Sequence, residues 1–286
     1  MNTRIQELIR QVLPPFVLAG LRRVRKPVVP SVLEYAPRGW DTPIENDNCG
    51  WDNDSVVRVE AAKWDDFLRN VEGAGPLGFS HEHTDLTVTR NVSFHNIHLS
   101  YAYVLSLAAH SRNEISVLDW GGGLGHYYLV GRALLPEVHL SYHVREVPRM
   151  CERGKLLCPD VIFHAGDDCL ERKYDLVMIN GSLGYFKDWK DKLGRLCDSV
   201  AHYMFLTRVL VVRQVPTFVA LQRTEVYEYN SDMLTQVFNE EELLRVVKDH
   251  GLRLVREFVV GDGPTVAGAP EQCRDCGWLF ARSAPA

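Results

Sequence analysis

From residue 115 onward, short apolar runs alternate with stretches whose apolar residues recur at helical spacing. The runs cover 115–119, 138–146, 161–164, 174–180, 203–212, 252–260 and 277–281. Continuous apolar runs of this kind suit strands buried on both faces, and the helical stretches between them suit the crossovers of a parallel sheet. Trp189, Leu193, Leu196, Cys197 and Val200 share one helical face, and Leu243, Val246 and Val247 share another. Asn239 is placed to cap the later helix, with Glu242 three positions on and Gly251 beyond its end, where a left-handed residue closes a helix. The last two runs are joined by a Gly- and Pro-rich segment that leaves no room for a helix, which predicts an antiparallel pair at the sheet edge. Ile97, Tyr101, Val104, Leu105 and Ala108 mark one more amphipathic helix before the first run. The expectation is an α/β domain over residues 96–286: a seven-stranded, mostly parallel sheet with helices on both faces and an antiparallel last strand.

The first 95 residues follow another pattern. Residues 1–30 carry six Lys and Arg against one acid, with Ile5, Leu8, Ile9, Val12 and Leu13 on one helical face, and residues 31–75 carry ten acids against four bases. This predicts an N-terminal extension, residues 1–95, of helices and irregular chain that packs as a partial lid over the carboxyl ends of the strands. Its basic start reads first as a helix docked on its own domain and second as a peripheral contact with an anionic membrane surface.

Composition narrows the class. At 286 residues, with 46% hydrophobic and 24% charged residues, the chain has the makeup of an ordinary folded protein. A net charge of -5 argues against a nucleic-acid partner, whose binders carry a basic excess. The longest uncharged apolar stretch, 11–21, is interrupted by Pro14 and Pro15 and falls short of the roughly 20 residues of a spanning helix. With no secretory cleavage pattern either, the expected location is cytoplasmic, with the inner-membrane surface as a peripheral site. The seven cysteines are odd in number and scattered, as reduced thiols would be. Cys273 and Cys276 form the one close pair, and without a second pair or a neighbouring His no metal is expected.

The most informative stretch is 117–126, Val-Leu-Asp-Trp-Gly-Gly-Gly-Leu-Gly-His, where an apolar run passes through a glycine loop into a helical pattern. That context points to a nucleotide-like ligand against backbone N–H groups at a helix N-terminus. A dinucleotide fold wants a small third residue in G-x-G-x-x-G, and counting from Gly121 and Gly123 that residue is His126, which disfavours NAD. A P-loop fails as well, since no Gly-Lys-Ser/Thr follows. What the stretch does fit is Asp119-x-Gly121-x-Gly123-x-Gly125, with the acid at the strand end. In this it resembles the first motif of the class I S-adenosylmethionine-dependent methyltransferases, a resemblance that implies a Rossmann-like fold and S-adenosylmethionine as cofactor. By that resemblance Asp119 sits near the ammonium and ribose side of the cofactor, and Gly121, Gly123 and Gly125 let the backbone approach it.

Further motifs follow in order. Glu146 ends the second run, 21 residues past Gly125, where an acid would accept both ribose hydroxyls. Asp167 follows the third, where family members often place an acid beside the adenine amine. Residues 173–183 resemble the fourth-strand motif, with Asn180 beneath the cofactor, and 238–258 and 277–281 resemble the later helix and strands. The resemblance covers about residues 96–286.

A narrower resemblance, carried by Thr207-Arg208, the 181–185 continuation, the strand-like 217–222 and the Trp120 glycine loop, is to bacterial methyltransferases encoded among surface polysaccharide genes. It implies a sugar or lipid-linked glycan acceptor. Methyl transfer to a hydroxyl needs alignment and a base. His126 follows the loop, and His81, His83, His95 and His98 lie within 18 positions of one another in the segment expected to cover the pocket; a histidine titrates near neutrality. Arg208, at the carboxyl end of a central strand, would grip an anionic part of the acceptor or form an internal salt bridge. Two other readings stay open: a scaffold that binds cofactor without catalysis, against which the intact Asp119, glycine loop and Glu146 count, and an NAD-dependent oxidoreductase, against which His126 counts.

Overall fold

The computed structural model describes residues 32–80, 91–224 and 228–283. The predicted basic helix of residues 1–30, its membrane contact, His81 and His83 lie outside them. The compact unit holding the described residues spans Val32–Ala286.

Its centre is the expected sheet. β2 (Glu114–Trp120), β3 (His139–Arg145), β4 (Ile162–His164), β5 (Tyr174–Asn180), β6 (Val200–Val212), β9 (Leu252–Gly261) and β11 (Arg274–Arg282) lie in the order β4-β3-β2-β5-β6-β11-β9. The five from β4 to β6 pair in parallel, and β11 runs antiparallel between β6 and β9. Alternation along each strand divides the core between two faces. Ile115 and Val117 of β2 and Leu176 and Met178 of β5 meet Tyr101 and Leu105 of α3 (Val92–Ala108) and Val130 of α4 (His126–Leu134). Leu118, Trp120, Val177 and Ile179 meet Leu193 and Leu196 of α6 (Trp189–Asp198) and Leu243 and Val247 of α7 (Glu240–Asp249). α5 (Pro148–Leu157) joins the first layer through Met150 and Cys151. Trp189 belongs to this core, 5% exposed and edge-on to Phe238.

Four further strands extend the sheet to eleven among the described residues. The β5–β6 ladder ends at Asn180↔Thr207, and β6 runs on; β8 (Asp232–Asn239) then takes the vacated side at Val211↔Phe238. Between the two ladders Arg208 adopts φ 55, opposite a register shift at Cys276/Trp278 on β11. β8 pairs antiparallel with β7 (Phe218–Arg223), β7 with β1 (Leu33–Tyr35), and β1 in parallel with β10 (Val266–Ala267). β7 fulfils the strand-like reading of 217–222. β8 escaped the apolar-run reading because buried Thr235 and Gln236 interrupt it.

The boundary expected at 95/96 is not a structural one for residues 32–80. β1 completes a ladder with β7, α1 (Asp54–Ala62) packs on α5, and α2 (Trp64–Glu72) packs on α4. These residues share the core of the compact unit through Val56, Trp64, Phe67 and Phe79.

Candidate active site

The glycine loop floors a cleft at the carboxyl ends of β2, β3 and β5. Gly121 takes φ 76, and a Cβ there would stand 2.4 Å from the Ser182 Cβ. Ser182 cannot yield, because its hydroxyl donates to the Trp120 carbonyl at 2.6 Å. A Cβ on Gly122 would stand 2.5 Å from Asp119 Oδ2. The loop is thus pressed between two strand ends by close approach that a side chain would block. Gly121 and Gly123 line the cleft; Gly125 instead takes the N-cap position of α4.

Asp119 is wholly buried at the cleft's base. Its Oδ2 accepts from the Tyr142 hydroxyl at 2.9 Å, and its Oδ1 has no hydrogen-bond partner. Burial pushes its pKa up to about 7, opposed by the Tyr142 bond and helped by the Glu146 charge. Glu146, just past β3, is half-buried and lines the cleft. It accepts from the Val147 N–H at 2.5 Å. Burial raises its pKa against that bond and the Arg145 charge. Asn180, ending β5, also faces the cleft and keeps a buried Oδ1 without a partner.

Asp167 is committed elsewhere. Arg145 reaches it at 3.1 Å, Arg195 at 3.2 Å, and Lys192 donates to its Oδ2. Burial alone would raise its pKa, but the Lys192 hydrogen bond and the three positive charges hold it below the usual carboxylate range. Arg145 and Lys192 lie over the Trp120 ring at 4.7 and 5.4 Å. Asp167 therefore anchors cations around Trp120 and is not among the cleft-lining residues, unlike the expected acid beside an adenine.

The three described histidines of the base expectation do not line the cleft. His126 is 1% exposed, with its ring against Trp64 and Phe67 at 5.1 and 4.8 Å. α2 covers it, so a base at the loop's end is ruled out by packing. His98 is enclosed as well. Its Nδ1 lies 2.7 Å from the Leu77 carbonyl oxygen, and burial drives its pKa down to about 4, which keeps the ring neutral. His95, half-buried on α3, has a buried Nδ1 without a partner.

Arg208, expected at the carboxyl end of a strand, lies within β6, which runs on to Val212, and it lines both the cleft and a second chamber. The two spaces share Gly181, Tyr185, Arg208 and Gln222. The Arg208 guanidinium lies 5.5 Å over the Phe94 ring, and the Tyr185 hydroxyl donates to Gln222 Oε1 at 2.7 Å. Asn91, Ser93, Thr235, Gln236, Asp262 and Asp275 supply the second chamber's other polar groups.

Three residues that the sequence reading missed complete the cleft: Trp51, Glu60 and Tyr229. Tyr229 donates to Glu60 Oε1, Ser55 donates to the Tyr229 carbonyl, and Trp51 packs edge-on to both Tyr229 and Tyr185. Their only local signal is an aromatic ring set in a polar stretch, and Glu60 has none. Among the described residues no group of three or more His, Cys, Asp or Glu is placed to hold a metal ion, and no helix is long and apolar enough to cross a membrane.

The model of one protein family, described as a methyltransferase domain, matches residues 95–257. No curated protein matches the sequence significantly. Among solved structures, the chain is similar to magnesium protoporphyrin IX methyltransferase from Synechocystis PCC 6803 with bound S-adenosylmethionine, at 13% identity over 82% of this chain and 100% of that one, TM-score 0.43. It is similar to an amino pentose methyltransferase from Micromonospora echinaspora at 17% identity over 65% and 91%, TM-score 0.43. A third is the 1,6-didemethyltoxoflavin-N1-methyltransferase of Burkholderia thailandensis, at 13% identity over 88% and 100%, TM-score 0.45.

Proposed function

The chain belongs to the methyltransferase-domain family, and from that premise we propose that it transfers a methyl group from S-adenosylmethionine to an oxygen of a saccharide or glycan intermediate of the kind used to build surface polysaccharide. The donor set of the cleft fits this cofactor. A carboxylate at the end of β3, Glu146, suits the paired hydroxyls of a ribose. Asn180 offers a buried acceptor oxygen without a partner. Gly121, Gly122 and Gly123 line the cleft and present backbone without side chains to it. The cofactor, when bound, supplies an electrophilic methyl group on a sulfonium; the protein's part is to align an acceptor and take its proton.

The observation that carries the acceptor class is the second chamber. It meets the cleft at Gly181, Tyr185, Arg208 and Gln222, and its other polar groups are mostly uncharged hydrogen-bonding side chains. Such a lining suits a polyhydroxylated ligand. Tyr185 occupies the carbonyl oxygen of Gln222 and so orients its amide to donate. Arg208, spread over Phe94 at the shared wall, would grip a phosphate or carboxylate of the acceptor. With His98 and His126 enclosed in the core, His95 of α3 is the candidate base among the described residues, beside His81 and His83 of the same expectation.

The test supplies labelled cofactor and a panel of nucleotide sugars and lipid-linked glycans to wild type and Arg208→Ala. Label is expected on a hydroxyl of one of these acceptors, with turnover in the variant reduced about tenfold or more, as for loss of a charged hydrogen bond. Label confined to protein, RNA or an amine metabolite refutes the acceptor class, and unchanged turnover removes Arg208 from the site.

A further inference from the structure

Building on that cofactor reading, we propose that Tyr142 of β3 is a positioning residue of the cofactor site: its hydroxyl holds one oxygen of Asp119 and leaves the other for the α-ammonium of the cofactor's amino acid tail. Asp119 lines the cleft. Its Oδ2 accepts from the Tyr142 hydroxyl at 2.9 Å, and its Oδ1, also buried, has no hydrogen-bond partner. A buried carboxylate oxygen calls for a donor, and the cleft is where one can arrive. Tyr142 itself does not line the cleft. Its effect on a ligand has to pass through Asp119.

The sheet decides which residue does the holding. β2 and β3 pair in parallel with Val117 opposite Tyr142 and Asp119 opposite Val144, so Tyr142 and Asp119 are diagonal neighbours on one face, a separation that a long side chain spans. Tyr142 is enclosed in its turn. Its ring meets Tyr128 of α4 edge-on at 5.5 Å, and the Tyr101 hydroxyl of α3, beside its own, donates to the Tyr127 carbonyl at 3.1 Å. With Oδ2 held from β3, the Asp119 carboxylate keeps a single orientation. The same bond favours its charged form against the burial that pushes its pKa up to about 7, and a charged form is what an ammonium wants opposite. Glu146 adds its charge to Asp119, and Tyr101 and Tyr142 face it from α3 and β3. Glu60, the third acid of the cleft, already accepts from Tyr229 through Oε1 and lies 4.0 Å from His126 through Oε2.

The test compares two ligands that share the adenosine thioether and differ in the tail: S-adenosylhomocysteine, which has it, and 5′-methylthioadenosine, which does not. Calorimetry on the full chain should show Tyr142→Phe weakening S-adenosylhomocysteine by about 5- to 20-fold while 5′-methylthioadenosine changes by less than about twofold. In the Asp119→Asn background the same substitution should cost less than about twofold, because the charge it acts through is then absent. Between about pH 6 and about pH 8.5 the loss in Tyr142→Phe should shrink as pH rises, since removing the donor moves the ionisation of Asp119 upward. The difference between the two proteins is what is read, as Glu60 and Glu146 contribute to both. Should Tyr142→Phe lose its melting transition, Tyr101→Phe carries the same expectation at smaller size. Equal weakening of both ligands or of neither, additive losses in the double variant, or a loss constant across pH overturns the assignment, as does a tail-specific loss found in Glu60→Gln and not in Tyr142→Phe. Wild type that binds neither ligand fails the cofactor reading, and this proposal with it.

Discussion

On the floor of the cleft, Asp119, Gly121, Glu146 and Asn180 each stand at or within a residue of a strand end. The cover is assembled differently: Tyr229 bonds Glu60 across 169 positions, Ser55 bonds Tyr229 across 174, and Ser231 donates to the Gly50 carbonyl across 181 at 2.6 Å. The floor's geometry follows from strand register, which the whole sheet enforces. The cover's geometry rests on a few side-chain bonds, one short backbone bridge at Cys49 and Asp232 and the Trp51–Tyr229 ring contact, all between segments far apart in the sequence. A change on the floor should therefore reach the ligand while the fold stands, and a change in the cover should reach stability.

The sharpest test of that contrast is Glu146→Ala. Loss of two charge-assisted hydrogen bonds should cost about 2–4 kcal/mol of S-adenosylhomocysteine binding. The melting temperature should hold or rise, because burial already raises this group's pKa. Calorimetry paired with a thermal melt reads both, and unchanged affinity would detach Glu146 from the ribose.

Asp119 sits beneath the floor and should report on pH. Its native pKa of about 7 lies above its ordinary 3.8, so the native state keeps a proton that the unfolded chain releases, and the group's cost to stability grows as pH rises from about 4 to about 7. Asp119→Asn does not carry that cost. Its stability relative to wild type should climb through this window, by about 1–3 kcal/mol at the upper end. Urea unfolding from pH 4 to pH 8 measures the difference, and parallel profiles for the two proteins would contradict it.

The smallest effect is expected in the cover. Ser55→Ala removes the bond to the Tyr229 carbonyl and should lower stability by about 1 kcal/mol, a fall of about 2–4 °C in melting temperature. A loss as large as a core deletion would mean that the cover is structural throughout and would weaken its contrast with the floor.

Much of the framework was legible in the sequence because it is written in local periodicity and punctuation. All seven apolar runs became strands of the central sheet, the final pair is antiparallel, and Asn239 caps α7 by accepting from the Glu242 N–H at 3.1 Å, with Gly251 at φ 75 beyond its end. The glycine loop and Glu146 arrived where their spacing put them, because a strand end and the turn after it are determined by neighbouring residues. Identity of residue type was a poorer guide. His126 and His98 have suitable chemistry and stand in suitable stretches, yet α2 and the 77–79 segment enclose them; Asp167 follows the right strand, but three cations claim it. Trp51, Glu60 and Tyr229 become one wall only when α1 and the loop before β8 are brought together. No pattern within a window of residues records that, because a side chain's surroundings depend on which distant segment packs against it, and packing is decided by the whole core at once.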